Sequence, residues 1–333
     1  MMEAIKNLFR PEVEKVETPS ILKQTDFRVG FFNFGAAEKA GVDYFNCGLV
    51  RRPDGLWLIA RRSRNRKGLA FGYNDLVAFL LDEKTHRPLR GSLIQMQKRW
   101  PDEQWEDARA VYHNGRTFIS CCDFIWNRGS WTGAHQIVEE VTDGWSSIRR
   151  HDPIYGHNEY NLGQNKWHEK NWIWFVHEGK WHLVYQANPH TVAEFNDNFE
   201  LMNEWVNPVL DLAWDYGEIR GGTPPVRIRD GVRDEFWTFF HSSTPWKAPF
   251  RQYHMGVYAF EAKPPFRITR ISTFPILSGS QDDPHGPKKP IVVFAQGAVW
   301  ENDSWFVTMG VNDMKCAWIE IPHQQLLKMT AEI

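Results

Sequence analysis

The sequence predicts an all-β protein, a five-bladed β-propeller with a short N-terminal extension, from a repeated hairpin phrase and its spacing. Each copy has an apolar run, a tight turn and a second run rich in aromatic residues, and the copies begin at Gly48, Ala108, Trp172, Pro224 and Gly297. Their starts lie 52 to 73 residues apart, which leaves room for two further strands in each unit. Because one hairpin has two open edges and little apolar surface, five units favour five sheets around a channel.

The turns within these copies have the chemistry of β-hairpins. Asp54-Gly55, Asn114-Gly115 and Glu178-Gly179 offer the positive φ angles of a two-residue turn and are flanked by aromatic or β-branched residues. No linker composition separates the copies. We therefore predict one propeller domain over residues 45–333, and an N-terminal segment over residues 1–44 that latches the ring or supports dimer formation.

Charge and composition exclude several classes of function. Lys and Arg number 39 against 41 Asp and Glu, so the chain lacks the basic surface that nucleic acid or an anionic membrane would require. It has no apolar run of about 18 residues and no signal-peptide core near its start. The four cysteines form neither a disulfide framework nor a metal clip. We expect a cytoplasmic protein that binds neither nucleic acid nor membrane.

Tryptophan is over-represented, with 17 residues beside 22 Phe and 9 Tyr. Large rings fill the wedges between twisted sheets, and this accounts for most of them. A few could instead form platforms for the apolar faces of sugars, and five lie beside turn residues and carboxylates: Trp105, Trp167, Trp172, Trp214 and Trp246.

A pair of residues precedes each copy of the phrase, and most of these residues are polar. The pairs are Asn46-Cys47, Glu106-Asp107, Lys170-Asn171, Gly222-Thr223 and Ala295-Gln296. In a propeller the innermost strands converge at one mouth, and side-chain alternation sends one member of each pair inward. The alignment predicts a ring of polar groups that can recognise a polyhydroxylated ligand or hold an acid beside a scissile oxygen.

The segment Glu106-Asp107-Ala108-Arg109 is the most charged part of this ring. On a regular strand Asp107 and Arg109 share a face, so Arg109 could orient and ionise Asp107. Alternatively, crowding by Glu106 could raise the pKa of an acid into a useful range. An ordinary surface ion pair is the third interpretation.

Several motifs are missing. The sequence has no nucleotide-binding or dinucleotide-binding glycine loop, no nucleophile elbow and no H-E-x-x-H helix. His151, Asp152, His157 and Glu159 are better explained as solvated loop residues than as metal ligands. We expect no metal and no cofactor, with inorganic phosphate open as a co-substrate.

These motifs, in this order, resemble glycoside hydrolase family 130, the β-mannoside phosphorylases and related β-mannosidases, which are five-bladed propellers. The resemblance extends over roughly residues 45–327. The matching stretches are Glu106-Asp107-Ala108-Arg109 (with Ala where the family has Pro), Glu169-Lys170-Asn171-Trp172, Gly221-Gly222-Thr223-Pro224-Pro225, Phe240-His241-Ser242, Tyr253-His254-Met255-Gly256 and Gly310-Val311-Asn312-Asp313.

The resemblance implies that Asp107 is the general acid and that Asp313 binds sugar hydroxyls. In the family an arginine ends the second strand of the first blade, and the resemblance implies that Arg61 or Arg62 matches it. His241 and Lys170 would serve the anion or the nucleophile. The phosphorylases place a phosphate-binding arginine late in the third blade, whereas residues 184–189 here contain none. A neutral amide binds a dianion much more weakly than a guanidinium does, so hydrolysis or transfer is favoured over phosphorolysis.

An inverting hydrolase also needs a carboxylate base. Glu169 and Glu218 are the candidates, with Glu218 slightly preferred because it precedes the glycine-rich turn. The remaining predicted substrate contacts are Asn46, Glu106, Arg109, Asn171, Thr223, Tyr253 and Gln296. We expect an oligosaccharide or glycoside substrate, in an enzyme acting on a β-linked, mannoside-like hexosyl unit. The alternative is a propeller that binds glycans without chemistry, and a homo-oligomer stays open.

Overall fold

The computed structural model describes residues 18–37, 42–64, 73–98, 105–127, 130–155, 167–229, 231–246, 250–284 and 291–333. Within these ranges the chain forms five mainly antiparallel sheets, each with an innermost strand at a common centre. The predicted all-β, five-bladed propeller is therefore confirmed.

Strand β1 (Arg28–Phe31) lies between two 3-10 helices, Ile21–Lys23 and Gly35–Ala37. The first blade follows and is built, from the channel outward, of β2 (Val42–Arg52), β3 (Gly55–Arg64), β4 (Tyr73–Leu80) and β5 (Ile94–Gln95).

The second and third blades have the same meander. The second consists of β6 (Trp105–His113), β7 (Arg116–Asn127) and β8 (Ser130–Val141), with β9 (Ser147–His151) and β10 (Trp167–His168) both paired with β8. The third consists of β11 (Ile173–His177), β12 (Lys180–Ala187), β13 (His190–Phe195) and β14 (Leu201–Val206).

The fourth and fifth blades are completed by the chain termini. The fourth contains β15 (Val226–Arg229), β16 (Asp234–Pro245), β17 (Arg251–Glu261), β18 (Ile268–Ser272) and β19 (Leu277–Ser278). The fifth contains β20 (Val293–Glu301), β21 (Ser304–Val311) and β22 (Lys315–Pro322). The chain then forms helix α1 (His323–Lys328) and β23 (Thr330–Glu332), which pairs with β18.

Strand β1 closes the ring, because it pairs antiparallel with β22 and becomes the outermost strand of the fifth blade. The fifth blade therefore contains strands from both ends of the chain, and it packs against the first blade. The predicted N-terminal segment thus contributes a strand to the propeller. Its residues 1–17 lie outside the described residues.

The hairpin turns follow the prediction at two positions and differ at a third. Asn114-Gly115 and Glu178-Gly179 both have positive φ angles. In the first blade the turn is Pro53-Asp54 instead, and only Gly55 has a positive φ, of 135°. Proline holds φ near −65°, which suits the first central position of a type I turn. Gly55, the residue after the turn, adopts the positive φ angle.

Five buried apolar clusters fill the five wedges between neighbouring blades. Trp57 of the first blade and Trp145 of the second share one wedge, with ring centroids 5.1 Å apart. Trp237 of the fourth blade and Trp305 of the fifth share another, at 6.2 Å. Each two neighbouring sheets are thus packed together by their own buried apolar cluster, and this packing fixes the relative positions of the innermost strands.

The innermost strands approach more closely than a side chain would allow, and glycine makes this possible. A Cβ atom on Gly48 would lie 2.5 Å from the carbonyl oxygen of Ala108 on the next blade. A Cβ atom on Gly297 would lie 2.2 Å from the amide nitrogen of Leu49. These glycines are the first residues of two of the five phrases, so the repeat marks the places of closest contact.

Within the described residues, no helix has the length and apolar character that crossing a membrane requires.

We expect Gly297→Ala to lower the free energy of unfolding by about 1–3 kcal/mol, because the methyl group forces two backbones apart. Gly144→Ala is the matched control, since its Cβ would meet only the Thr142 hydroxyl, at 3.8 Å. Urea unfolding measures both. Equal stability of the two variants would show that the inner strands separate without cost.

Candidate active site

The centre of the site is a cluster of side chains from three blades, joined by the amide of Asn46. The Nδ2 atom of Asn46 on β2 donates to Asp107 Oδ1 at 2.9 Å and to Asp313 Oδ1 at 3.1 Å. Asp107 comes from the second blade and Asp313 follows the second strand of the fifth. Two predicted acidic site residues and one predicted amide therefore lie together.

Arg61 supplies the positive charge of this cluster. Its guanidinium donates to Glu106 Oε1 and lies 3.7 Å from Asp107 Oδ1. The same guanidinium lies over the ring of Phe45, 4.8 Å from its centroid. Arg62 projects from the other face of β3 and binds Asp75 at 2.9 Å. Of the two arginines left open by the sequence, Arg61 is the one in the cluster.

Glu106 has a perturbed acidity. Burial raises the pKa of Glu106 to about 7, with Arg61 opposing the shift and the negative charge of Asp107 adding to it. Lys170, which is exposed at the mouth, also opposes the shift. The Glu106 side chain is 11% exposed and that of Asp107 is 23% exposed, so the second carboxylate has more contact with solvent.

β-Bulges in three inner strands carry the polar side chains of the predicted ring. The register shifts between Phe45 and Cys47, between Glu106 and Arg109, and between Ala295 and Gly297. Asn46 and Asp107 have φ angles of 48° and 55°, in the left-handed region that Asn and Asp tolerate better than other non-glycine residues. The polar ring therefore leaves its strands at bulges and does not follow regular alternation.

Of the three interpretations of this segment, the pairing of Arg109 with the Asp107 carboxylate does not occur in the structure. The bulge places two residues, Asp107 and Ala108, opposite the single residue Cys121, so the regular alternation that would put Asp107 and Arg109 on one face is broken. Arg109 Nη1 donates instead to the backbone carbonyl of Asp107, at 3.2 Å.

Arg109 is an anchor between blades. It is 2% exposed and donates to the carbonyls of Gly221 and Gly222 and to Asn171 Oδ1, the last at 3.3 Å. Its guanidinium also lies over Phe294 of the fifth blade, 5.3 Å from the ring centroid. Burial lowers the pKa of Arg109 to about 10, which leaves it charged at neutral pH.

His241 and Tyr253 form the fourth-blade side of the site. Their rings stack with centroids 5.8 Å apart, and Phe294 meets His241 edge-on at 4.5 Å. Burial, helped by the charges of Arg109 and Arg220, lowers the pKa of His241 well below its ordinary value. His241 is therefore neutral at pH 7, and its Nδ1 has no hydrogen-bond partner among the described residues.

The two candidate bases have different surroundings. Glu169 is half-buried, accepts from Trp172 Nε1 at 2.9 Å and from Tyr185 Oη at 3.3 Å, and precedes Lys170. The Glu218 side chain is 78% exposed and binds Arg220 at 3.1 Å. Glu169 is thus the oriented carboxylate, and Glu218 lies on an exposed loop.

Two further predicted contacts are fully buried. The Thr223 hydroxyl accepts from the Phe239 amide at 3.0 Å and so joins β16 to the segment preceding β15. Gln296 lies at the bulge of the fifth blade, and both polar atoms of its side chain lack hydrogen-bond partners within the described ranges.

Two of the five tryptophans that the sequence offered as candidate sugar platforms are buried. Trp105 is 0% exposed and Trp172 is 2% exposed, because both fill wedges between blades. Trp214 and Trp246 are partly exposed. The side chain of Trp167 lies outside the described part of the structure.

The suggested metal group does not assemble in the described residues. Asp152 binds Arg150 at 2.8 Å, while His151 lies 3.9 Å from Glu140. No group of three or more metal-binding side chains occurs in the part of the chain that the structure describes. His157 and Glu159 lie outside it.

The sequence did not single out four neighbours of the site. Phe45 supports Arg61, Phe294 supports Arg109, and Tyr185 orients Glu169. Cys122 on β7 lies directly opposite Glu106 on β6, and burial raises the pKa of its thiol to about 12. Alternation along β7 would have placed Cys122 near the mouth, whereas the other three contacts depend on tertiary packing.

Comparison with known proteins supports the fold. No protein-family model and no curated protein matches the sequence. Among solved structures the chain is similar to a β-1,2-mannobiose phosphorylase from Listeria innocua, at 15% identity and a TM-score of 0.59, over 87% of this chain and 93% of that one. It is also similar to a GDP-Man-dependent mannosyltransferase from Leishmania mexicana, at 14% identity and a TM-score of 0.57, over 90% and 91%.

A third similar structure belongs to glycoside hydrolase family 130, described as mannoside phosphorylases that include hydrolases of β-1,2-mannosidic linkages in Candida mannan. Identity is 14%, the TM-score is 0.56, and 85% of each chain is covered. The chain therefore shares the five-bladed fold of the family-130 structures that its motifs resemble.

Proposed function

We propose that this protein is a carbohydrate-active enzyme that cleaves or transfers a β-linked, mannoside-like hexosyl unit, with Asp107 as the general acid. The observation that carries the proposal is the position of the Asp107 carboxylate, bound by Asn46, next to Arg61, and more solvent-accessible than Glu106. Asp107 would protonate the leaving glycosidic oxygen while Asp313 binds hydroxyls of the same sugar. Similar structures that act on mannosides support the substrate class.

Glu169 is the better candidate for the base. A base must be held in one orientation so that it can take a proton from the attacking water. Trp172 and Tyr185 provide this for Glu169, whereas Glu218 is exposed and paired with Arg220. Inversion would require the Glu169 and Asp107 carboxyl groups to lie about 6.5–9.5 Å apart in the enzyme–substrate complex.

Hydrolysis or transfer is favoured over phosphorolysis. The resemblance implies an arginine late in the third blade of the phosphorylases, and the corresponding residues 184–189 here contain none. The exposed Gln186 near the end of β12 is neutral. Arg109 cannot replace that arginine, because its donors bind backbone carbonyls and Asn171.

Asp107→Asn tests the general acid. We expect turnover of β-mannosides to fall by at least about 100-fold, because the amide cannot deliver a proton to the leaving oxygen. Reducing-sugar release measures it. Asp303→Asn, on an exposed hairpin turn of the fifth blade, is the control. Full turnover by the Asp107 variant would contradict the assignment.

Adding phosphate distinguishes the reaction types. We expect equal rates of sugar release with inorganic phosphate and with sulfate at the same ionic strength, and no sugar phosphate. Chromatography of the products from a panel of β-mannosides measures both. Phosphate-dependent formation of a sugar phosphate would overturn the preference for hydrolysis or transfer. Binding without product in every condition would favour a non-catalytic glycan-binding propeller.

Glu106→Gln tests the acidity of the buried carboxyl. Because the folded pKa of Glu106 is raised from 4.5 to about 7, its contribution to stability is full below pH 4.5 and is lost as the pH rises through 7. Relative to the Gln variant, the wild type should lose up to about 1.4 kcal/mol per pH unit over this interval. Urea unfolding at several pH values measures the difference. Parallel curves would refute it, and Glu178→Gln, 77% exposed, is the control.

A further inference from the structure

We infer that Asn46 is a positioning residue, which holds the Asp107 carboxylate in place for proton transfer by binding it and Asp313 through one amide nitrogen. The inference rests on the proposed function, in which Asp107 is the acid. Asn46 itself is 3% exposed and lies beneath the two carboxylates.

The chemistry of a primary amide fits this position. An amide NH2 group has two N–H donors that point apart, and here one meets each carboxylate, at 2.9 Å and 3.1 Å. The two acceptor oxygens therefore lie within about 6 Å of each other, the width of one hexose ring. One sugar can thus contact both carboxylates at once.

The orientation of the amide is fixed by its surroundings. The reverse orientation would place the carbonyl oxygen of Asn46 against two carboxylates, an arrangement with no donor. On the other side, a Cβ atom on Gly310 would lie 1.8 Å from Asn46 Oδ1. Glycine at position 310 therefore leaves the space that the amide oxygen occupies, and a side chain there would displace the amide.

Asn46 also separates like charges. Asp107, Asp313 and Glu106 all bring negative charge to this part of the mouth, and Asp107 and Asp313 both have left-handed backbone conformations, with φ angles of 55° and 50°. The other charged groups that interact with Asp107 or Glu106 are, blade by blade, Arg61, Arg109, Lys170 and Asp313. Arg61 lies 3.7 Å from Asp107 Oδ1, whereas the Asn46 amide lies 2.9 Å from it. Asn46 is therefore the closest donor to the Asp107 carboxylate in the described chain.

Two variants test the role by kinetics. We expect Asn46→Ala to lower kcat by about 100-fold and to raise KM by a smaller factor, because the acid loses its alignment with the leaving oxygen and Asp313 loses a donor. Asn46→Asp keeps the shape but adds a like charge, which makes the neighbouring carboxyls harder to ionise. It should move the pH–rate profile toward higher pH. Asn302→Ala and Asn302→Asp, at an exposed turn with a φ of 50°, are the controls.

A merely structural role would lower the melting temperature and leave the pH profile unchanged. An unchanged pH profile in Asn46→Asp, or an activity loss in Asn46→Ala that is fully explained by the unfolded fraction, would overturn the inference.

Carboxyl NMR separates this inference from the proposed function. With ¹³C-labelled aspartate, the Asp107 carboxyl signal is assigned by its absence in Asp107→Asn. We expect this signal to titrate at higher pH in Asn46→Asp than in the wild type, and Asn302→Asp to leave it unchanged. The measurement needs no substrate. The same titration in both proteins would refute the role of Asn46 even if turnover were found, and a shift without any turnover would refute only the proposed function.

Discussion

The geometry of the mouth depends on the buried guanidinium of Arg109, which lies where four blades meet. It binds the carbonyls of Asp107, Gly221 and Gly222, and it contacts Asn171 and Phe294. These carbonyls belong to segments that have left the regular strand pairing, so they need donors from elsewhere. A planar group with five donors can satisfy several of them at once. Because the partners are dipoles and not carboxylates, the cation fixes the backbone without neutralising the acids.

Left-handed backbone conformations at the mouth are concentrated in asparagine and aspartate. Five such residues occur at bulges of inner strands or close to the ends of inner or second strands: Asn46, Asp107, Asn171, Asn312 and Asp313, with φ angles between 48° and 65°. These are the residue types that adopt this region most readily after glycine, and they also carry the groups that bind sugar hydroxyls. One choice of residue therefore serves both the bulge and the site. Strain of this kind is often found where function requires a fixed side chain.

The blades could be predicted from the sequence because a hairpin is a local structure. Turn residues and aromatic runs lie within each phrase, and the ring follows from repetition. The errors arose where tertiary contacts decide the direction or the burial of a side chain. A bulge separates Asp107 from Arg109, and a regular alternation cannot show it. Trp105 and Trp172 have polar neighbours in the sequence but apolar ones in space. The choice between Glu169 and Glu218 stays a prediction, and the structure adds only that the Glu218 side chain is exposed.

The bulge also explains how two adjacent carboxyl groups can have different tasks. On a regular strand Glu106 and Asp107 would project to opposite faces, one of them into a wedge. Here both reach Arg61, but Glu106 is buried against it and Asp107 faces the mouth. Burial raises the pKa of Glu106 to about 7, against the opposing effect of the Arg61 and Lys170 charges. The net charge beside Asp107 thus changes by one unit within the neutral range, through a residue one peptide bond away. The fold thereby couples the environment of the proposed acid to pH through the neighbouring carboxyl group of Glu106.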